Sequence, residues 1–335
     1  MLKRIGLVIL AAILLLAAVL TINTLRLRPE KLGEPLPPPP VDQAAVQHLA
    51  QAIRIPTIST EAGPAPDAVL DAFAAHLAAS YPRVHAALKK EVAAGHSLLF
   101  TWLGTDPNAP ALLLAAHQDV VPIEGSSEAK WTHKPFAGVI ADGFVWGRGT
   151  IDDKMSLIAI LEAAERLLAR GYRPRQTIYL AFGHDEERGG SGARAMAALL
   201  KARGARIALA LDEGYAVLDG VLAGVNRPVA VVGMAEKGYV SVELTASGAG
   251  GHSSMPTPDN AAVRIARAVE RLADDPFPAR VQGLTGDMLT TLAPYMDQPL
   301  KAVIANRWLT EPLIRRQLVA NPRTAAAVRT TTAPT

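Results

Sequence analysis

Residues 111–119 read ALLLAAHQD, six apolar residues closed by His117, Gln118 and Asp119. An uninterrupted apolar run of this length suits a strand buried on both faces of a sheet. The polar residues at its carboxyl end sit where open α/β sheets form their sites. Working outward, the pattern recurs. TIYLAFG (177–183) runs into Asp185, Glu186 and Glu187, and RIALAL (206–211) runs into Asp212 and Glu213. Between them, the glycine-containing stretch Trp146–Ile151 ends at Asp152 and Asp153. Four separate segments can therefore deliver His, Asp and Glu side chains to one edge of a sheet.

The surrounding periodicities support that sheet. Strands are predicted at His96–Leu103, Ala111–Ala116, Gln176–Phe182 and Arg206–Leu211, the second and the last of them buried. Helices are predicted over 42–54, 66–80, Lys154–Arg170 and Ser191–Arg203, the third with Leu157, Ile160, Leu161, Ala164 and Leu168 on one face. Helices alternating with buried strands argue for an α/β domain with a mostly parallel sheet. Near Glu236 the texture changes. Gly238–Ser247 alternates like a half-exposed antiparallel strand, Pro258–Ala273 reads as a helix, and Asp275–Ala320 holds further helical patches. Val328–Thr332 reads as the opening of another strand. The expected organisation is a catalytic domain over 42–235 and a second, inserted α+β domain over 236–335.

Ile5–Ile22 is apolar except for Thr21, long enough to span a bilayer as a helix. It exceeds the ~7–15 residues of a signal-peptide core and no small-residue cleavage site follows it directly. Residues 1–27 are therefore expected to be an uncleaved anchor, the alternative being a cleaved signal peptide and a secreted product. Residues 28–41 form a linker ending in Pro37–Pro40, a composition that favours extended, stiff backbone. The net charge of +3 is accounted for by residues 1–41, where five basic residues face two acidic ones; the remainder is balanced. That distribution points to a membrane and away from nucleic acid, which would call for a basic patch on the folded part. There is no cysteine, so disulfides and thiolate metal sites are excluded.

Several carboxylates gathered at one place repel one another, and cations relieve that cost. Imidazole with carboxylates suits zinc, and a cluster this rich can hold two ions ~3.5–4 Å apart. Taken singly, each residue has a plainer explanation: Asp152 or Asp153 can cap the helix at Lys154, and Glu186–Glu187 can be solvated loop charge. The conjunction of the four segments favours the metal.

HQD (117–119), GRGTIDDK (147–154), GHDEERGG (183–190), LDEG (211–214) and GGHSSMP (250–256) occur in one order along the chain. In that order and spacing the chain resembles the dinuclear-zinc peptidases that include aminoacylase, acetylornithine deacetylase and glutamate carboxypeptidases. Within them it is similar to the Gly-Xaa carboxypeptidase and N-fatty-acyl-amino-acid hydrolase branch. The resemblance covers about residues 45–335. It implies that His117 binds one zinc, Asp152 bridges both, Glu187 binds the second and Asp212 completes the His117 site. It implies Asp119 as the partner that fixes the His117 ring, Glu186 as the general base and a cis peptide between Asp152 and Asp153. It also implies that His252, in a lid and dimerisation domain, donates to the substrate carbonyl oxygen, sometimes across a homodimer.

The resemblance further implies a longer chain, with a final histidine for the Glu187 zinc beyond the TTTAPT of residues 330–335; no histidine follows His252. The expected activity is hydrolysis of the amide bond to a C-terminal amino acid, in a short peptide or an N-acyl amino acid, in an exported domain tethered to a membrane. The competing readings are an inactive, membrane-tethered binding module and a dinucleotide-dependent oxidoreductase. The latter lacks a glycine fingerprint after the first strands.

Overall fold

The computed structural model describes the chain except residues 31–32, 34–35, 38–39, 215, 221 and 335. The proline-rich linker thus lies partly outside the described residues. Two compact units emerge, Leu36–Glu213 and a second made of Met1–Pro35 with Gly214–Thr335. Helix α1 (Leu2–Arg26) opens the chain and is long and apolar enough to cross a membrane.

In the first unit, α2 (Gln43–Ile53), α3 (Asp67–Ser80) and α4 (Pro82–Ala87) precede the hairpin β1 (Lys89–Ala93) and β2 (Ser97–Trp102). Then come β3 (Ala111–His117), a short α5 (Gly125–Glu128) and a small hairpin, β4 (Val139–Ala141) and β5 (Phe144–Trp146). The unit closes with α6 (Lys154–Ala169), β6 (Ile178–Gly183), α7 (Ser191–Ala202) and β7 (Ile207–Leu211). The main sheet has strand order β1-β2-β6-β3-β7. The expectation of a mostly parallel sheet holds for the β6-β3-β7 half. The β1-β2-β6 half is antiparallel. The hairpin accounts for the β1–β2 pair: Ala94 and Gly95 adopt positive φ (48° and 91°) and return the chain within three residues, which only antiparallel neighbours allow.

Alternate side chains of β2 and β6 enter two cores. Leu98, Phe100, Leu180 and Phe182 pack with Phe73, Leu77 and Leu161. Leu99 and Ala181 pack instead with Met196 and Leu200 of α7. This two-sided burial is why these strands lack polar alternation, each large apolar side chain contributing ~1.5–3 kcal/mol. The expectation that Arg206–Leu211 is buried is corrected: β7 is exposed along its length at the edge of the sheet, where β3 is its one strand neighbour among the described residues.

The second unit continues with the hairpin β8 (Ala216–Leu218) and β9 (Val229–Val231). Five helices follow: α8 (Ala261–Asp274), α9 (Gly283–Leu292), α10 (Leu300–Ala305), α11 (Arg307–Val319) and α12 (Pro322–Val328). Val281, Leu289, Ala293, Ile304, Ile314 and Val328 form its core, with Leu27 packed against it. Two strand expectations fail here. Gly238–Ser247 is irregular and exposed, since no strand among the described residues pairs with its backbone. Val328 ends a helix instead of opening a strand, because Asn321 accepts from the Arg323 N–H, Pro322 starts the turn and three alanines extend it.

Candidate active site

The parallel half of the sheet brings the carboxyl ends of β3, β6 and β7 to one edge, with His117 directly opposite Gly183 in the register. Chemistry-bearing residues follow each strand: Asp119 after β3, a turn of 3-10 helix over Glu186–Arg188 after β6, and Asp212–Glu213 after β7. Asp152 and Asp153 join them from the N-terminus of α6, linked by a cis peptide bond. Gly149 makes that approach possible. Its φ is +81°, and a Cβ there would stand 2.4 Å from the Val120 side chain.

His117 is buried, and its Nε2 lies 2.9 Å from Asp152 Oδ1 and 3.1 Å from Glu213 Oε2. Two groups have ligand atoms within 4.8 Å of one another: His117 with Glu186 and Glu187, and His117 with Asp153 and Glu213. The other ring nitrogen, Nδ1, is 2.9 Å from the Asp119 carbonyl oxygen and 3.4 Å from its carboxylate. Asp119 is fully buried and accepts from Ser59 Oγ at 2.7 Å, the Glu186 N–H at 3.0 Å and the Glu187 N–H at 3.2 Å. One carboxylate thus ties together three segments distant in sequence.

The electrostatics of the cluster are those of surplus negative charge. Burial pushes Asp153 up to about 6. Burial and the neighbouring carboxylates push Glu213 up to about 7 and raise Glu186 and Glu187. Burial alone would depress His117, but Asp119, Glu213 and Asp153 overcome it and raise the imidazole to about 10. Burial likewise opposes the charge of Asp119, yet hydrogen bonds involving His117 and Ser59 hold it below the ordinary carboxylate range. Asp153 Oδ1 is buried without a hydrogen-bond partner among the described residues. An imidazole nitrogen, convergent carboxylates and an orphaned carboxylate oxygen fit a divalent metal of the zinc type.

A model of peptidase family M20/M25/M40 matches residues 113–307, more than half of the chain. The chain belongs to this family. An N-fatty-acyl-amino acid synthase/hydrolase, PM20D1, of Xenopus tropicalis is 42% identical over 294 residues, covering 87% of this chain and 57% of that protein. The human protein of the same name is 38% identical over 295 residues, covering 87% and 58%. Carboxypeptidase S of Saccharomyces cerevisiae is 38% identical over 241 residues, covering 68% and 41%. The chain thus spans little more than half the length of the first two relatives.

Within this M20 chain, the structure gathers His117, Asp119, Asp152, Glu186 and Glu187 as the sequence suggests. Asp212 is exposed, and its carboxylate accepts from the Glu213 N–H at 2.9 Å; the Glu213 carboxylate is the one that reaches His117. Side chains alternate in extended backbone, so a one-residue step decides which carboxylate faces the imidazole. His252 lies in the second unit, exposed, its Nδ1 bonded to the Ser254 N–H and hydroxyl.

Two contributors escaped the sequence reading, and a third, Asp153, is named there without an assigned role. Ser59 carries no local signal, because its role depends on a parallel bridge between Ile58 and Val120. Asp153 is one of two adjacent acids that spacing alone does not rank. Lys154, the last residue of GRGTIDDK, looks like an ordinary solvated charge at a helix start. It is instead fully buried, donating to the carbonyls of Ala52 (3.0 Å) and Ile55 (2.7 Å) above the Phe73 ring, and burial brings it down to about 7.

Proposed function

We propose that the chain carries the metal centre of a hydrolase that cleaves the amide bond to a C-terminal amino acid in N-acyl amino acids or short peptides. The observation that carries this reading is the buried His117 Nε2 facing convergent carboxylates while Asp119 fixes the opposite side of the ring. The printed names of the relatives, a fatty-acyl-amino acid hydrolase and a carboxypeptidase, support that substrate class.

His117, Asp152, Glu187 and the Asp212–Glu213 pair would hold two zinc ions, with Asp152 shared between them. When bound, the metal polarises the scissile carbonyl and makes water acidic near neutral pH. Glu186 takes the proton of the attacking water on its carboxylate and returns it to the departing amine nitrogen. A base raised above the ordinary carboxylate range suits both transfers. Asp119 keeps His117 in one tautomer and holds the backbone that presents Glu186 and Glu187. Residues 236–335 serve as the lid and dimerisation region, from which His252 donates to the carbonyl oxygen as negative charge develops there. Helix α1 anchors an exported catalytic domain to the membrane.

Metal analysis of the intact protein, paired with hydrolysis of an N-acyl amino acid, tests the reading. Chelator should strip the metal and the activity together. Glu186→Gln should keep its metal and lose turnover by ~10²–10⁴-fold. Near-normal turnover in that variant overturns the base assignment, and a chain that takes up no zinc overturns the metal centre.

A further inference from the structure

Helix α1 changes character along its length. From Lys3 to Ala18 every residue is exposed, but Val19, Leu20, Asn23, Thr24 and Leu27 are buried or half-buried, at the three- and four-residue spacing of one helix face. Asn306, 1% exposed between α10 and α11, makes the joint. Its Oδ1 accepts from Asn23 Nδ2 at 3.0 Å, and its Nδ2 donates to the Leu20 carbonyl at 3.2 Å and the Ala302 carbonyl at 2.9 Å. Leu27 then packs against the core of the helical bundle.

The position of that joint constrains what lies beside it. Ile5–Ile22 extends ~27 Å as a helix, close to the ~30 Å of bilayer hydrocarbon. The bond to Leu20 falls within the last turn of that run. If the run fills the hydrocarbon, α10 and α11 cannot stand clear of the membrane; they lie level with its interface. The outer side of α11 is equipped for that place. Trp308, Leu309 and Leu313 are 63%, 46% and 58% exposed, whereas Ile314 turns inward to the core. Trp308 lines the same surface hollow as Leu27, so it stands at the foot of α1. Arg315 and Arg316 follow on exposed positions of the same helix. Tryptophan at the headgroup level and basic side chains reaching phosphates are the furnishings of a bilayer interface.

We propose that α10 and α11 form a foot that rests on the bilayer entered by α1, with Trp308, Leu309 and Leu313 inserted among the lipid headgroups. The proposal rests on reading α1 as an uncleaved anchor. Because the chain has no cysteine, single cysteines can report on it. The full chain is reconstituted in phosphatidylcholine–phosphatidylglycerol vesicles, with an environment-sensitive fluorophore at Leu313→Cys, Ala12→Cys or Lys201→Cys. The expected result is blue-shifted emission, quenched by a lipid-borne quencher, at positions 12 and 313 and at neither level at 201. Quenching at 12 with a water-like probe at 313 overturns the foot and leaves the anchor standing. A blue shift at 313 that the lipid quencher does not touch means that protein covers the face, and also overturns it. Equal quenching at 201 means indiscriminate adsorption, which overturns it too. An unquenched probe at 12 removes the anchor reading and the foot with it.

Discussion

Ser97–Trp102 and Gly238–Ser247 are similar stretches in very different situations. The first lies between β1 and β6, and all six of its residues are buried. The second leaves Tyr239 (92%), Val240 (77%) and Val242 (73%) in solvent and pairs with no strand among the described residues. An apolar, β-prone segment becomes a strand when neighbours satisfy its backbone and layers cover its faces; its own pattern supplies neither. The same contrast separates the two units. The sheet unit binds its helices through two layers of shared side chains, while the other holds its helices in one smaller cluster.

If that contrast is real, equal truncations should have unequal costs. Leu161→Ala, in the core beside Phe73 and Leu77, should destabilise the sheet unit by ~2–5 kcal/mol, read by denaturant unfolding. Gly192→Ala comes next, at ~1–3 kcal/mol, because its Cβ would meet Ser97 Oγ at 1.9 Å. Pairing it with Ser97→Ala should restore part of the loss; no restoration would mean that the close approach is not the cause. A smaller effect concerns pH. Burial holds His76 and His85 below the ordinary histidine value of 6.5. As pH falls below 6.5 the unfolded chain takes up protons that these two folded histidines refuse, so they contribute a decline in stability on the acid side, opposed by Asp153 and Glu213, which the folded chain protonates first. His76→Gln should flatten that decline. Val240→Ala should change stability by less than ~0.5 kcal/mol, and a larger loss would show that the segment is packed after all.

The sheet unit was legible from sequence because its elements are dictated locally and by burial. The predicted bounds of α2, α3, α6 and α7 fall within a residue or two of those observed. The acids after β6 and β7 could be placed at one sheet edge because parallel strands share a direction. What could not be read was set by contacts distant along the chain. Choosing between Asp212 and Glu213 needs the exact exit of β7, and Ser59 matters through a bridge to Val120 some sixty residues away. The burial of Lys154 depends on where the α2 end falls. The failed strand expectation at Gly238–Ser247 has the same root, since it depended on a partner.

Asp119 binds its three segments with no ion involved. These are bonds between protein groups, so this joint does not use a metal as its mortar. A chelated sample should remain a folded, storable reagent, ready to be charged with cobalt as a coloured reporter or with cadmium as a silent one. The identity of the ion then becomes an experimental variable that can be exchanged on a single preparation.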